Sequence, residues 1–148
     1  MDPKLFLGTA HFLQNNGLDQ AAYRSAISRA YYACFLEARR IVFGNCASNV
    51  LRRDNIYKQN DIGHKQLQSF LKNSSTSNIK LLGVDLAGLC KSREDADYEM
   101  SGETTEEDAQ NEIDEADIFL ENLSKTQPTE IGKAVEDYIS RICQTRKQ

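Results

Sequence analysis

The stretch Tyr23 to Val42, YRSAISRAYYACFLEARRIV, decides the fold. It runs for about twenty residues without Gly or Pro, the two residues that most disfavour a helix interior. Tyr23, Ile27, Ala30, Cys34, Ala38 and Ile41 recur at steps of three and four, which sets them on one stripe of an α-helix. Arg29, Tyr32, Leu36 and Arg40 recur at the same steps on roughly the opposite side. The first face packs a core. The second is either solvated surface or a face that meets a partner or lines a site.

Upstream, Asp2-Pro3 reads as an N-cap with Pro at the first helical position. Leu5, Phe6, Ala10 and Leu13 make a short amphipathic helix, with His11 at a surface or boundary position. Asn15-Asn16-Gly17 ends that helix, Gly17 suiting a left-handed cap, and Asp19 caps the long helix. Downstream, Gly44 to Gly63 mixes Gly, Asn, Ser and Asp with a basic piece, Arg52-Arg53 through Lys58, and has room for a helical turn around Val50 to Tyr57. Such a connection is either a surface insertion or functional. His64 to Leu71 reads as a short helix with Leu67, Phe70 and Leu71 inward.

After the polar break Asn73 to Asn78, with Ser77 or Asn78 as cap, a helix runs from Ile79 to about Asp95. Ile79, Leu82, Leu86, Leu89 and Cys90 form its stripe, and the next position on that stripe is Arg93. A guanidinium there is either paired in a cavity or interface, or reaches water at the helix end. Tyr98 to Glu103 reads as a turn. A capping box from Thr104 to Glu107 opens a helix with the stripe Ala109, Ile113, Ala116, Leu120 and Leu123. Its other faces carry eight carboxylates, either a solvated acidic surface or one that repels phosphate and steers RNA to another face. Lys125 to Pro128 is a linker. Ile131, Val135, Tyr138 and Ile142 make a last helix with a basic tail.

The expected fold is therefore all-α: a four-helix up-and-down bundle over 1–124 with an extra short helix, and a C-terminal helical extension over 125–148 packed on the bundle or on a partner subunit. At 148 residues the chain is long enough for one domain with a real core. No apolar run suffices for a membrane span, and MDPKLF lacks a basic n-region, so no secretory signal is expected. Cys34, Cys46, Cys90 and Cys143 are scattered, with no C-x-x-C and no Cys/His cluster, which predicts reduced thiols in a cytoplasmic protein with no metal and no cofactor. The net charge of −4 excludes whole-molecule attraction to nucleic acid but not a local basic patch. No phosphate-loop, dinucleotide or nucleophile-elbow motif occurs. The residues left to carry chemistry are Arg93, Asp97 and Tyr98 at one helix end, His64 at the start of another, and Arg29 with Tyr32 on the long helix. If they converge, they make a cationic, phenol-bearing pocket for a phosphate or an RNA backbone.

Ser28-Arg29-Ala30-Tyr31-Tyr32-Ala33-Cys34-Phe35, then Gly63-His64, then Arg93-Glu94-Asp95-Ala96-Asp97-Tyr98, then the acidic helix from Thr105, together resemble the HEPN superfamily. The closest likeness is to small prokaryotic members paired with a minimal nucleotidyltransferase. It covers about Leu5 to Leu123. The resemblance implies a helical bundle that homodimerises. It also implies a toxin–antitoxin or defence-type role, RNA as a partner, and in many members a metal-independent endoribonuclease. In such members an Arg stabilises the phosphorane and a His four to six residues on is the general acid/base. Carried over, Arg93 matches the motif Arg, with Tyr98 where the His would fall and His64 as a substitute only if folding brings it near. Arg29, Tyr32 and Asp97 would contact RNA or phosphate. A phenol is a poor general base at neutral pH. Two function classes follow: an RNA-binding or RNA-cutting HEPN protein restrained by a nucleotidyltransferase that modifies Tyr98, and a non-catalytic dimeric interaction or substrate-binding subunit for such a partner.

Overall fold

The computed structural model describes residues 1–17 and 19–146. Among them every regular element is helical, as the periodicity predicts. They are α1 (Leu5–Asn16), α2 (Gln20–Asn45), α3 (Ser48–Arg52), a 3-10 turn (Gln59–Asp61), α4 (His64–Lys72), α5 (Ser77–Tyr98), α6 (Glu106–Ser124) and α7 (Pro128–Arg146). None of these helices is long and apolar enough to cross a membrane.

The chain divides into two compact units, each discontinuous in sequence. The first unit comprises Met1–Glu37 and Leu86–Glu121. Its core is set by α2, which buries more than one narrow stripe: Ala26, Ile27, Ala30, Tyr31, Ala33, Cys34 and Phe35 are all inside. The small Ala side chains let other helices approach closely, and the Cys34 thiol reaches the Ala116 carbonyl of α6 at 3.6 Å. Asp2 accepts the Lys4 N–H at 2.9 Å, so the Asp-Pro start forms a capped turn just ahead of α1. Asp19 caps α2 through the Ala22 N–H at 3.0 Å. Gly17 is not a left-handed cap: its φ is −77° and ψ 145°. It is glycine because a Cβ there would collide with the Ala22 side chain as the chain turns into α2. The box that opens α6 lies one residue later than expected. Thr105 Oγ1 accepts the Asp108 N–H at 3.1 Å and Asp108 Oδ2 accepts the Thr105 N–H at 2.9 Å. Phe119, rather than Leu120, completes the buried stripe.

The second unit comprises Ala38–Asp85 and Asn122–Gln148. The segment expected to be one long connection is largely built. α2 continues to Asn45, α3 and the 3-10 turn follow, and Leu51, Ile56 and Ile62 are each about fully buried. α7 begins at Pro128, so the linker is shorter than expected, and packs on α3 and α4. Its inner face is Ile131, Gly132, Val135 and Ile139. Ile139 takes the place expected of Tyr138, whose ring instead meets the edge of Phe70 at 6.0 Å. Each buried Ile or Phe here contributes roughly 1.5–3 kcal/mol of transfer free energy.

Candidate functional site

α5 brings Arg93 into the first unit as the continuation of a buried stripe, and the residue is only 7% exposed. Its guanidinium carbon stands over the rings of Tyr31 at 5.2 Å and Tyr32 at 5.7 Å, both on α2. Nη1 lies 3.7 Å from Asp97 Oδ2 one turn on, and Nη2 donates to the Cys90 thiol at 3.9 Å. The buried Nε has no hydrogen-bond partner among the described residues. The Ser28 hydroxyl donates to the same Asp97 oxygen at 3.4 Å. Tyr32 in turn meets Phe6 of α1 at 6.4 Å, and Arg29 stands over that ring at 5.7 Å. Arg29, Tyr32, Arg93 and Asp97 are therefore linked through direct contacts, as their positions in the sequence allowed.

Tyr98 is the last residue of α5 rather than part of a turn, and is 75% exposed. It shares an open hollow of about 360 Å³ with Arg93, Glu94, Asp95 and Glu99. His64 opens α4 and belongs to the second unit. His11 sits 3.6 Å from Asp117, the boundary position expected of it.

Burial pushes the Tyr31 phenol up from its ordinary value, and its hydrogen bond with Cys90 adds to the shift, so it stays neutral. For Arg93, burial pulls downward, but the Cys90 thiol and the two facing phenols outweigh it and the net shift is upward. The guanidinium keeps its charge inside the unit. An arginine flanked by aromatic faces and tied to a carboxylate is a rigid fixture.

A second guanidinium, Arg24 on α2, was not singled out from the sequence. Its Nη1 donates to the carbonyls of Glu99 at 2.6 Å and Ala96 at 3.0 Å, and its Nη2 to that of Gly102 at 2.6 Å. It satisfies carbonyls that the end of α5 leaves open. The clue was present: no residue at the end of α5 supplies a glycine cap. Beside Arg24 lies a cleft of about 550 Å³ whose walls include Asp95, Glu99, Glu103, Asp108 and Glu112. Burial raises the Glu112 carboxyl, with a hydrogen bond from Ser92 at 3.0 Å opposing the shift.

Comparison with protein-family models, curated proteins and solved structures finds no match to this chain. The chemistry near Arg93 is that of a fixed cation at the edge of a carboxylate-rich surface. Among the described residues, no three His, Cys, Asp or Glu are grouped as metal ligands.

Proposed function

We propose that this chain is a cytoplasmic HEPN-type subunit, a four-helix up-and-down bundle with an added short helix and a C-terminal helix. On this reading it is a non-catalytic, dimeric interaction or substrate-binding partner of a minimal nucleotidyltransferase. The observation that carries the reading is the packing of Arg93 on Tyr31 and Tyr32, with Ser28 bonded to Asp97. Two of the four segments on which the HEPN resemblance rests thus touch each other side chain to side chain. Arg93 is held by Asp97 and Cys90, and the hollow it shares with Tyr98 carries three carboxylates that oppose an incoming phosphate.

The unpartnered Arg93 Nε favours a second reading, a metal-independent endoribonuclease around Arg93 and Tyr98. One set of measurements separates the two. The protein is expressed alone and assayed for growth arrest and RNA cleavage, then mixed with a minimal nucleotidyltransferase. The subunit reading expects no cleavage and a stable complex; modification of the exposed Tyr98 by that partner, lost in Tyr98→Phe, belongs instead to the RNA-binding reading. Cleavage by the wild type that disappears in a folded Arg93→Lys variant would establish the nuclease instead. The homodimer, through Arg29, Tyr32, Leu36 and the Arg93 end, is tested by light scattering.

A further inference from the structure

The formal charge of −4 hides a division between the two units. The first unit holds five Lys and Arg against sixteen Asp and Glu, a net −11; the second holds thirteen against six, a net +7; together they give −4. A polyanion is therefore repelled by the unit that contains Arg93 and attracted to the other.

Within the second unit, the ends of α3 and α7 form a hollow of about 510 Å³ lined by Arg53, Ser140, Cys143, Gln144 and Arg146. It presents two guanidinium groups, a hydroxyl and an amide, a donor-rich lining suited to phosphate oxygens. Asp54, next to Arg53 in sequence, already accepts from Arg146 at 3.0 Å and from Gln66 at 2.9 Å. Arg52, Arg53 and Lys58 are exposed, and none of them has an ion pair among the described residues.

Four residues beyond Arg53 stands Tyr57, 66% exposed. Four residues span at most about 14 Å, so its ring lies within reach of a strand seated at Arg53. The turn that presents it is fixed. Ile56 and Ile62 are buried on either side, Asn55 takes a left-handed φ of 63°, and Asp61 Oδ2 accepts the Tyr57 N–H at 2.9 Å and the Lys58 N–H at 3.0 Å. A preordered turn has little conformational freedom left to lose on binding.

We propose that this α3–α7 face binds single-stranded polynucleotide, with phosphates seated at Arg53 and Arg146 and a base stacked on Tyr57. An exposed phenol ring has a partner in an unpaired base, whereas the bases of a duplex are already stacked on one another. The site lies in the second unit and Arg93 in the first, and its assignment does not depend on the nucleotidyltransferase reading.

The test is fluorescence anisotropy at low salt with a fluorescein-labelled, mixed-sequence RNA of roughly 15 nucleotides, within the range of known single-strand sites. The variants are Arg53→Glu, Tyr57→Ala and Lys4→Glu, all at exposed positions and each checked for native helicity by circular dichroism. Arg53→Glu is expected to weaken binding at least about tenfold and to flatten its salt dependence. Tyr57→Ala is expected to weaken it about fivefold or more. Lys4→Glu makes the same charge change in the first unit and is expected to cost less than about twofold. The same sequence as DNA is run in parallel: a preference for RNA identifies contacts to the 2′-hydroxyl, and equal binding identifies contacts to phosphate and base alone, each in support. The proposal is overturned if no binding occurs, if Lys4→Glu weakens binding as much as Arg53→Glu, or if Tyr57→Ala has no effect. It is also overturned if duplex RNA, polyglutamate or vesicles of anionic phospholipid bind as tightly as the single strand. A failed complex with the nucleotidyltransferase would leave these results untouched, so the two readings fail separately.

Discussion

At the residue scale, Arg93 shows how a charge can be kept inside a helical unit. It surrenders hydration, which alone would weaken the protonated form, and recovers the loss from the Cys90 thiol and the two facing phenols, with Asp97 3.7 Å away. Truncation should therefore be costly. Arg93→Ala removes both ring contacts, leaves Asp97 without its cation and opens a gap beside Tyr31, so a loss of about 2–4 kcal/mol is expected in urea unfolding. Arg93→Lys keeps the charge but not the flat group that lies across the rings, and should lose less, about 1–2 kcal/mol. Wild-type stability in Arg93→Ala would mean that the side chain is merely tolerated where it lies. Helical spacing put Arg93 on the stripe of Ile79, Leu82, Leu86 and Leu89 but left open whether it is paired inside or reaches water at the helix end, and the structure buries it. The aromatic sandwich was not legible in the sequence. Tyr31 falls outside the narrow stripe drawn on α2, and only the packing shows that α2 buries a broad arc.

At the element scale, two glycines in helices separate contact from propensity. Gly132 on α7 lies against the backbone of Asn45 at the end of α2, where an added Cβ would strike the Asn45 carbonyl. Gly88 on α5 faces open space. The same substitution should therefore act with opposite signs. Gly132→Ala is expected to destabilise by about 1–3 kcal/mol, because backbone rather than a flexible side chain must move. Gly88→Ala should stabilise by about 0.5–1 kcal/mol through helix propensity. Thermal or urea unfolding of the two variants checks the pair, and a shift of the same sign in both would show that the α7 contact does not constrain the fold. Helix existence and type were readable from periodicity, while the reasons for several helix ends were not. Gly17 looks like a left-handed cap in sequence but is glycine for want of space beside Ala22. The end of α5 is closed by Arg24, more than seventy residues away from Gly102 in sequence, so the missing glycine cap signals that a partner is needed but not which one.

At the scale of the whole molecule, the separation of charge was already legible along the chain: Met1–Glu37 is net neutral, Ala38–Asp85 carries +5, Leu86–Glu121 carries −11 and Asn122–Gln148 carries +2. What the fold adds is the pairing of these segments, neutral with acidic and basic with basic. The acidic unit bears a cost from this arrangement. On α6, Asp114, Asp117 and Glu121 repeat at steps of three and four, a spacing at which like charges destabilise a helix by a few tenths of a kcal/mol per pair. The first-turn acids Glu106, Glu107 and Asp108 are spared, since they face the positive end of the helix dipole. Exposed ion pairs in that unit offer little in return. Lys91–Asp95 at 2.8 Å is exposed on both sides, and such pairs contribute roughly 0–1 kcal/mol. Repulsion should therefore outweigh attraction, and salt should stabilise. Raising NaCl from about 20 mM to about 500 mM shortens the screening length from roughly 20 Å to roughly 4 Å, below the spacing of most of these carboxylates. The melting temperature is then expected to rise. Amide hydrogen exchange should slow along the C-terminal half of α6 and change little along α7, where both signs of charge are present. A melting temperature that falls with salt, or protection gained equally in both helices, would mean that the carboxylates are held apart well enough for the net −11 to cost nothing in stability.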